Sequence, residues 1–195
     1  MKKVIYFTSL LLIIFSTAKS QTIERIGLKG PIEFNKTEFK LAWSQKPNAN
    51  YYVQEYLPKN ETVERFNELI TVNVFVLDVT VEKAIQQKVN ELTKRKEIDK
   101  VCNFSVINSP DGTESILDCL LSSGNDEKLD VVEIIIYRYK QIELENHKKA
   151  LLIYSYSKRS YDENIIKFLN GLSSERESLL NVMISAEMPK ISIKE

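Results

Sequence analysis

Two cysteines, one histidine and plentiful carboxylates are the side chains of this chain that could do chemistry. Cys102 and Cys119 lie on either side of Ser109-Pro110-Asp111-Gly112. That is strong turn chemistry: proline presets φ, aspartate bonds locally and glycine accepts a positive φ. The flanking stretches, 100–109 and 113–122, read as strands. With Pro110-Asp111 as a two-residue loop, the cysteines stand opposite each other; with a bulge at Gly112, the register slips by one and the bridge becomes diagonal. In an oxidising compartment either arrangement predicts a local Cys102–Cys119 disulfide, stabilising by about 3 kcal/mol through loop closure. There is no CxxC spacing and only one histidine, which speaks against a redox pair or a zinc site. No cofactor or metal ligand set is expected.

His147 falls in a predicted hairpin turn, where a base is hard to bury and orient, so it reads as an exposed turn residue. Glu143 and Glu145 alternate at a strand end, and solvation explains them as well as paired-acid chemistry does. The acidic stretch 125–130 lacks the central glycine and the ligand spacing of a calcium loop. Five glycines form no phosphate-cradling pattern. No catalytic residue is therefore assigned. The most suggestive set is aromatic. A hairpin centred on Asn146-His147 would pair Tyr137 with Tyr156 and Tyr139 with Tyr154. Such a face either packs beneath a helix or forms a recognition surface, and these four tyrosines are the candidate binding residues. Three sequons, at Asn35, Asn60 and Asn103, matter only in a glycosylating host.

Around these residues the chain must supply an address and a scaffold. Met1-Lys2-Lys3, an apolar run from Val4 to Phe15 and the small-residue exit Ser16-Thr17-Ala18-Lys19-Ser20 make a signal peptide, with cleavage expected before Gln21. A run of twelve residues, broken only by Thr8 and Ser9, falls short of the roughly 20 that cross a bilayer as a helix. The expectation is a periplasmic or secreted protein with no membrane span after cleavage. The chain has 27 basic and 27 acidic residues, and the leader removes three lysines and no acid. A near-neutral, well-mixed surface argues against nucleic-acid binding. Residues 21–195 suit one domain.

Periodicity then places the elements. Alternation predicts strands over 37–43, 51–57 and 70–78, with a short helix capped by Thr62 between the last two. Val81, Ala84, Ile85, Val89 and Leu92 recur at three and four residues, which predicts a helix over 81–96 with Thr80 as N-cap. Two hairpins follow, 100–122 and 131–158. Capping boxes at Ser160-Tyr161-Asp162-Glu163 and Ser174-Glu175-Arg176-Glu177 predict two C-terminal helices, with Gly171 ending or kinking the first.

The stretch Tyr51-Tyr52-Val53-Gln54-Glu55-Tyr56-Leu57-Pro58, continuing through Phe66 to Thr71-Val72, resembles part of bacterial exported domains related in shape to PsbP. There a strand with a Pro-containing turn leads through a short helix to a Thr-Val strand. The resemblance implies an antiparallel sheet flanked by helices. The expected fold is thus a single α+β domain, a largely antiparallel sheet of about seven strands flanked by helices in a PsbP-like sandwich. The expected function is that of an exported, non-enzymatic accessory or binding protein with a protein partner. A carboxylate-dependent hydrolase and a carrier of a small apolar ligand are the alternatives.

Overall fold

A computed structural model describes residues 22–28, 30–125, 128–145 and 147–193. The leader over 1–20 and its cleavage point lie outside the described residues. Eight strands and two α-helices follow in the order β1 (Ile32–Phe34), β2 (Thr37–Asn48), β3 (Tyr51–Leu57), β4 (Glu68–Phe75), α1 (Val81–Arg95), β5 (Asn103–Asn108), β6 (Glu114–Gly124), β7 (Leu129–Glu143), β8 (Lys149–Tyr161) and α2 (Ile165–Ser185). All strands belong to one antiparallel sheet of order β1-β2-β3-β4-β8-β7-β6-β5. Two four-strand meanders are therefore joined through β4 and β8, with α1 as the crossover between them.

This corrects the expected fold. The molecule is not a sandwich of about seven strands but a single eight-stranded sheet curled into a half-barrel with two attached helices, 45% strand and 23% helix. Rings show the curl. β1 and β8 are four strand spacings apart, about 19 Å in a flat sheet. Yet Phe34 of β1 stacks on Tyr156 of β8 at 4.7 Å between centroids, and Phe39 of β2 meets the same ring edge-on at 6.4 Å. The face carrying these rings must be the inner one. Ile70, Val72, Val74, Ile134, Ile136 and Leu152 line it, and α2 fills it with Leu172, Leu179 and Met183. On the outer face α1 buries Val81, Ile85 and Leu92 against Leu117, Ile135, Tyr139 and Leu151.

Local signals account for α1. Thr80 is its N-cap, the side chain accepting from the Lys83 N–H at 3.3 Å, and Lys94 and Arg95 sit in the last turn. Elsewhere tertiary structure overrides local pattern. The predicted helix after Thr62 is a loop, in which the Glu61 carboxylate accepts from the backbone N–H groups of Asn67 and Glu68. Ser160 does not cap a helix: it pairs with Val132 as β8 runs on to Tyr161. Ser174 starts no second helix either. α2 passes unbroken through Gly171, and the hydroxyls of Ser173 and Ser174 bond carbonyls three residues back.

Both hairpin registers differ from expectation. The Ser109 N–H donates to the Glu114 carbonyl at 2.9 Å, which leaves residues 110–113 as the loop. Pairing then sets Cys119 opposite Phe104, not Cys102. Both cysteines are free, buried thiols rather than a bridged pair, and the Cys102 Sγ points to the Leu92 carbonyl at 3.6 Å. In the second hairpin the Leu144 N–H donates to the Lys148 carbonyl, and His147 takes φ 60°. Tyr137 consequently faces Ser155, and Tyr156 faces Ile136.

Candidate functional site

One residue of slip sends paired side chains to opposite faces of a sheet. The four tyrosines are divided accordingly. Tyr154 and Tyr156 lie in the inner core; Tyr139 is buried under α1, with Tyr137 partly buried beside it. They form no common exposed patch. Burial pushes the Tyr137 and Tyr139 phenols well above their ordinary range. The most exposed large apolar residues are isoleucines scattered over the surface, such as Ile98 and Ile166.

An open groove lies beside α2. On one side this helix is sewn to the sheet. Arg176 donates through Nε to Asp118 Oδ2 at 2.7 Å and through Nη2 to Ser105 Oγ at 3.2 Å, while Ser105 donates to Asp118 Oδ1 at 2.6 Å. The end of the helix is fixed by Arg138 of β7. Its Nη1 donates to the carbonyls of Met183, Ile184 and Ala186 at 2.7–3.1 Å, and its Nε to Glu114 at 2.6 Å. The final carbonyls of a helix lack internal partners and carry partial negative charge, so a guanidinium is well suited there.

On its other side α2 stands away from β1, leaving an open groove of about 710 Å³. The strand side is Glu33, Phe34 and Asn35. Asn35 and Lys36 both take positive φ, 47° and 65°, in the tight turn that swings this hairpin inward. The helix side is Ser174, Glu177, Ser178, Asn181, Val182, Ser185 and Ala186, one face of about 18 Å at 1.5 Å per residue. Carboxylates, amides and hydroxyls line the groove over an apolar floor, with no lysine or arginine among the lining residues. It can accept hydrogen bonds from a donor-rich or cationic ligand.

The residues singled out for acid–base chemistry do not converge. Glu143 meets His147 Nδ1 at 2.6 Å on an exposed turn, and Glu145 accepts from Ser192. Residues 126 and 127 of the acidic stretch lie outside the described residues. A different acidic cluster emerges on the outer face. Glu133 of β7 lies 3.0 Å from Arg159 Nε, whose guanidinium stacks over Phe66 at 4.1 Å. Burial pushes Glu55 of β3 up to about 7, against the pull of Arg159 and with a further push from Glu133. Burial also raises Glu133. The only trace of this cluster in the sequence is an acid set within an apolar strand run, as in Tyr52-Val53-Gln54-Glu55-Tyr56-Leu57. Among the described residues, three or more potential metal ligands nowhere gather.

A family model matches residues 26–188, and the chain belongs to that family. The match takes in all eight strands and both helices. No curated protein and no solved structure matches the chain, and nothing in these comparisons links it to the PsbP-like shape.

Proposed function

We propose that this is an exported, non-enzymatic binding protein that engages a protein partner through the groove between β1 and α2. The observation that carries the reading is the one-sided attachment of α2, laced to β5 and β6 by Arg176 and left apart from β1 over about 18 Å. The acceptor-rich lining of the groove suits backbone N–H groups and basic side chains of a partner segment. The N-terminal residue pattern supports export. No helix among the described residues is long and apolar enough to cross a membrane. Carriage of an apolar ligand has no support from the space between sheet and α2, which core side chains fill.

The test is capture from an envelope extract by residues 21–195, with and without Asn181→Trp, which fills the groove. A specific partner recovered by the parent and lost with the variant, at unchanged circular dichroism, supports the proposal. Identical recovery by both sinks it. Glu55 favours a second reading, the carboxylate-dependent hydrolase, because a carboxyl with a midpoint about 7 is poised for proton transfer at neutral pH. That reading requires turnover of an ester or glycoside panel that Glu55→Gln abolishes without loss of fold.

A further inference from the structure

β5 ends the sheet opposite to β1, and its own six residues have none of the usual edge defences; the one charge near them is Lys96 of the α1 end, over the Phe104 ring at 4.4 Å. Natural edges are blunted by charge, proline, bulges or brevity. Asn103-Phe104-Ser105-Val106-Ile107-Asn108 has no charge and no proline, and its six pairs with β6 run without a register shift. Because Ser109 directs its N–H inward to Glu114, alternation along an antiparallel ladder turns the N–H and C=O groups of residues 104, 106 and 108 outward. The Phe104 N–H is met locally by the Asn103 side chain at 3.0 Å. Ile107 is 43% exposed.

We infer that β5 is a self-pairing edge, through which two copies of this chain join their sheets antiparallel about a twofold axis at Val106. In this register Val106 faces its own copy and Phe104 faces Asn108, so every outward backbone group is used, in about six hydrogen bonds. The Phe104 N–H exchanges its Asn103 contact for the Asn108 carbonyl of the second copy. Side chains stay on their proper faces because paired residues differ by an even number. Charge complementarity selects a second copy as the occupant. The twofold axis brings exposed Lys100, three residues ahead of β5, toward the exposed Asp111 in the turn that follows the strand. Hydrogen bonds from Ser109 and Thr113 hold the Asp111 carboxyl down at about 2, so it stays charged at working pH. The other edge has no such self-match, since it would bring Glu33 to Glu33.

Sedimentation equilibrium of residues 21–195 over a concentration series tests this. A dimer is expected. Val106→Pro removes an outward N–H, leaves the β6 ladder intact and should give monomer. If that variant fails to fold, charge reversal decides. Lys100→Glu and Asp111→Lys should each raise the dimer Kd by about fivefold, and the double variant should restore it. A parent that stays monomeric at its solubility limit overturns the inference. So does a dimer that survives both Val106→Pro and the single reversals, or one the double variant fails to restore.

Discussion

β1 closes one end of the sheet with three residues and β5 closes the other with six, and the two ends are protected differently. Ahead of β1 stands Pro31, which has no N–H to offer, and the strand is drawn across the inner face by the stacking of Phe34 on Tyr156. β5 has no such anchor and turns regular backbone to solvent. α2 shows the reverse asymmetry, laced by Arg176 toward β5 and separated from β1 by the groove. Rolling a sheet can hide one edge behind side chains. The far edge still needs a partner, and the helix that plugs the roll can be fastened to only one lip.

Removing the ring that draws β1 inward should break this contrast most strongly. Phe34→Ala is expected to destabilise by about 4 kcal/mol in urea titration. A loss under about 1 kcal/mol would mean the curl does not depend on that ring. Glu55 stands between the two edges and gives a pH-dependent comparison. Its midpoint rises from 4.5 to about 7 on folding, so its contribution is complete below pH 4.5 and is lost as pH rises to about 7. Glu55→Gln should therefore gain up to about 3 kcal/mol over the parent at pH 8 and nothing at pH 4. Equal gains at both pH values would contradict the assignment. On the β5 side, Arg176→Ala leaves the Asp118 carboxylate, 3% exposed, with only Ser105, at a cost of about 2 kcal/mol. Asp118→Asn should cost less, because Arg176 is 40% exposed and turns to water. The opposite ranking would show that the helix is not held by this pair. The smallest effect belongs to the β5–β6 turn. Gly112 has φ +71° with open space where a Cβ would lie, so Gly112→Ala should cost only the left-handed backbone penalty, about 1 kcal/mol, with dimer mass unchanged.

Elements with complete local signals were legible in the sequence. β3 is found at 51–57 as its alternation requires, and α1 begins at its Thr80 cap. What was not legible depends on distant partners. Three residues of β1 give no period, and their order comes from Tyr156, more than a hundred positions away. The capping box at Ser160 is sound local grammar, but a ladder with β7 satisfies the same backbone groups along a longer run. Both registers turned on loop length, which Pro-Asp-Gly or Asn-His alone does not determine. Of the candidate site, the groove residues of α2 read as an ordinary solvated helix face. Only the placement of Asn35 and Glu33 opposite them makes a site. The tyrosines did identify core, on two faces rather than one.

Near the ends of the described chain, the Ser192 N–H donates to the Ile26 carbonyl at 2.8 Å, and Gly27 lies so close that a Cβ there would come within 2.6 Å of the Ser192 oxygen. Mechanically, this puts two handles side by side. Tension between them would peel the two tails apart one contact at a time instead of shearing the ladder as a block. Resistance would first be met on the N-terminal side, where Ile26 is buried in the core and the Arg25 N–H donates to Gln54, and on the other side at the Arg138 clamp on α2. The same adjacency means that a short peptide could join residues 26 and 192 into a ring with little rearrangement of the sheet.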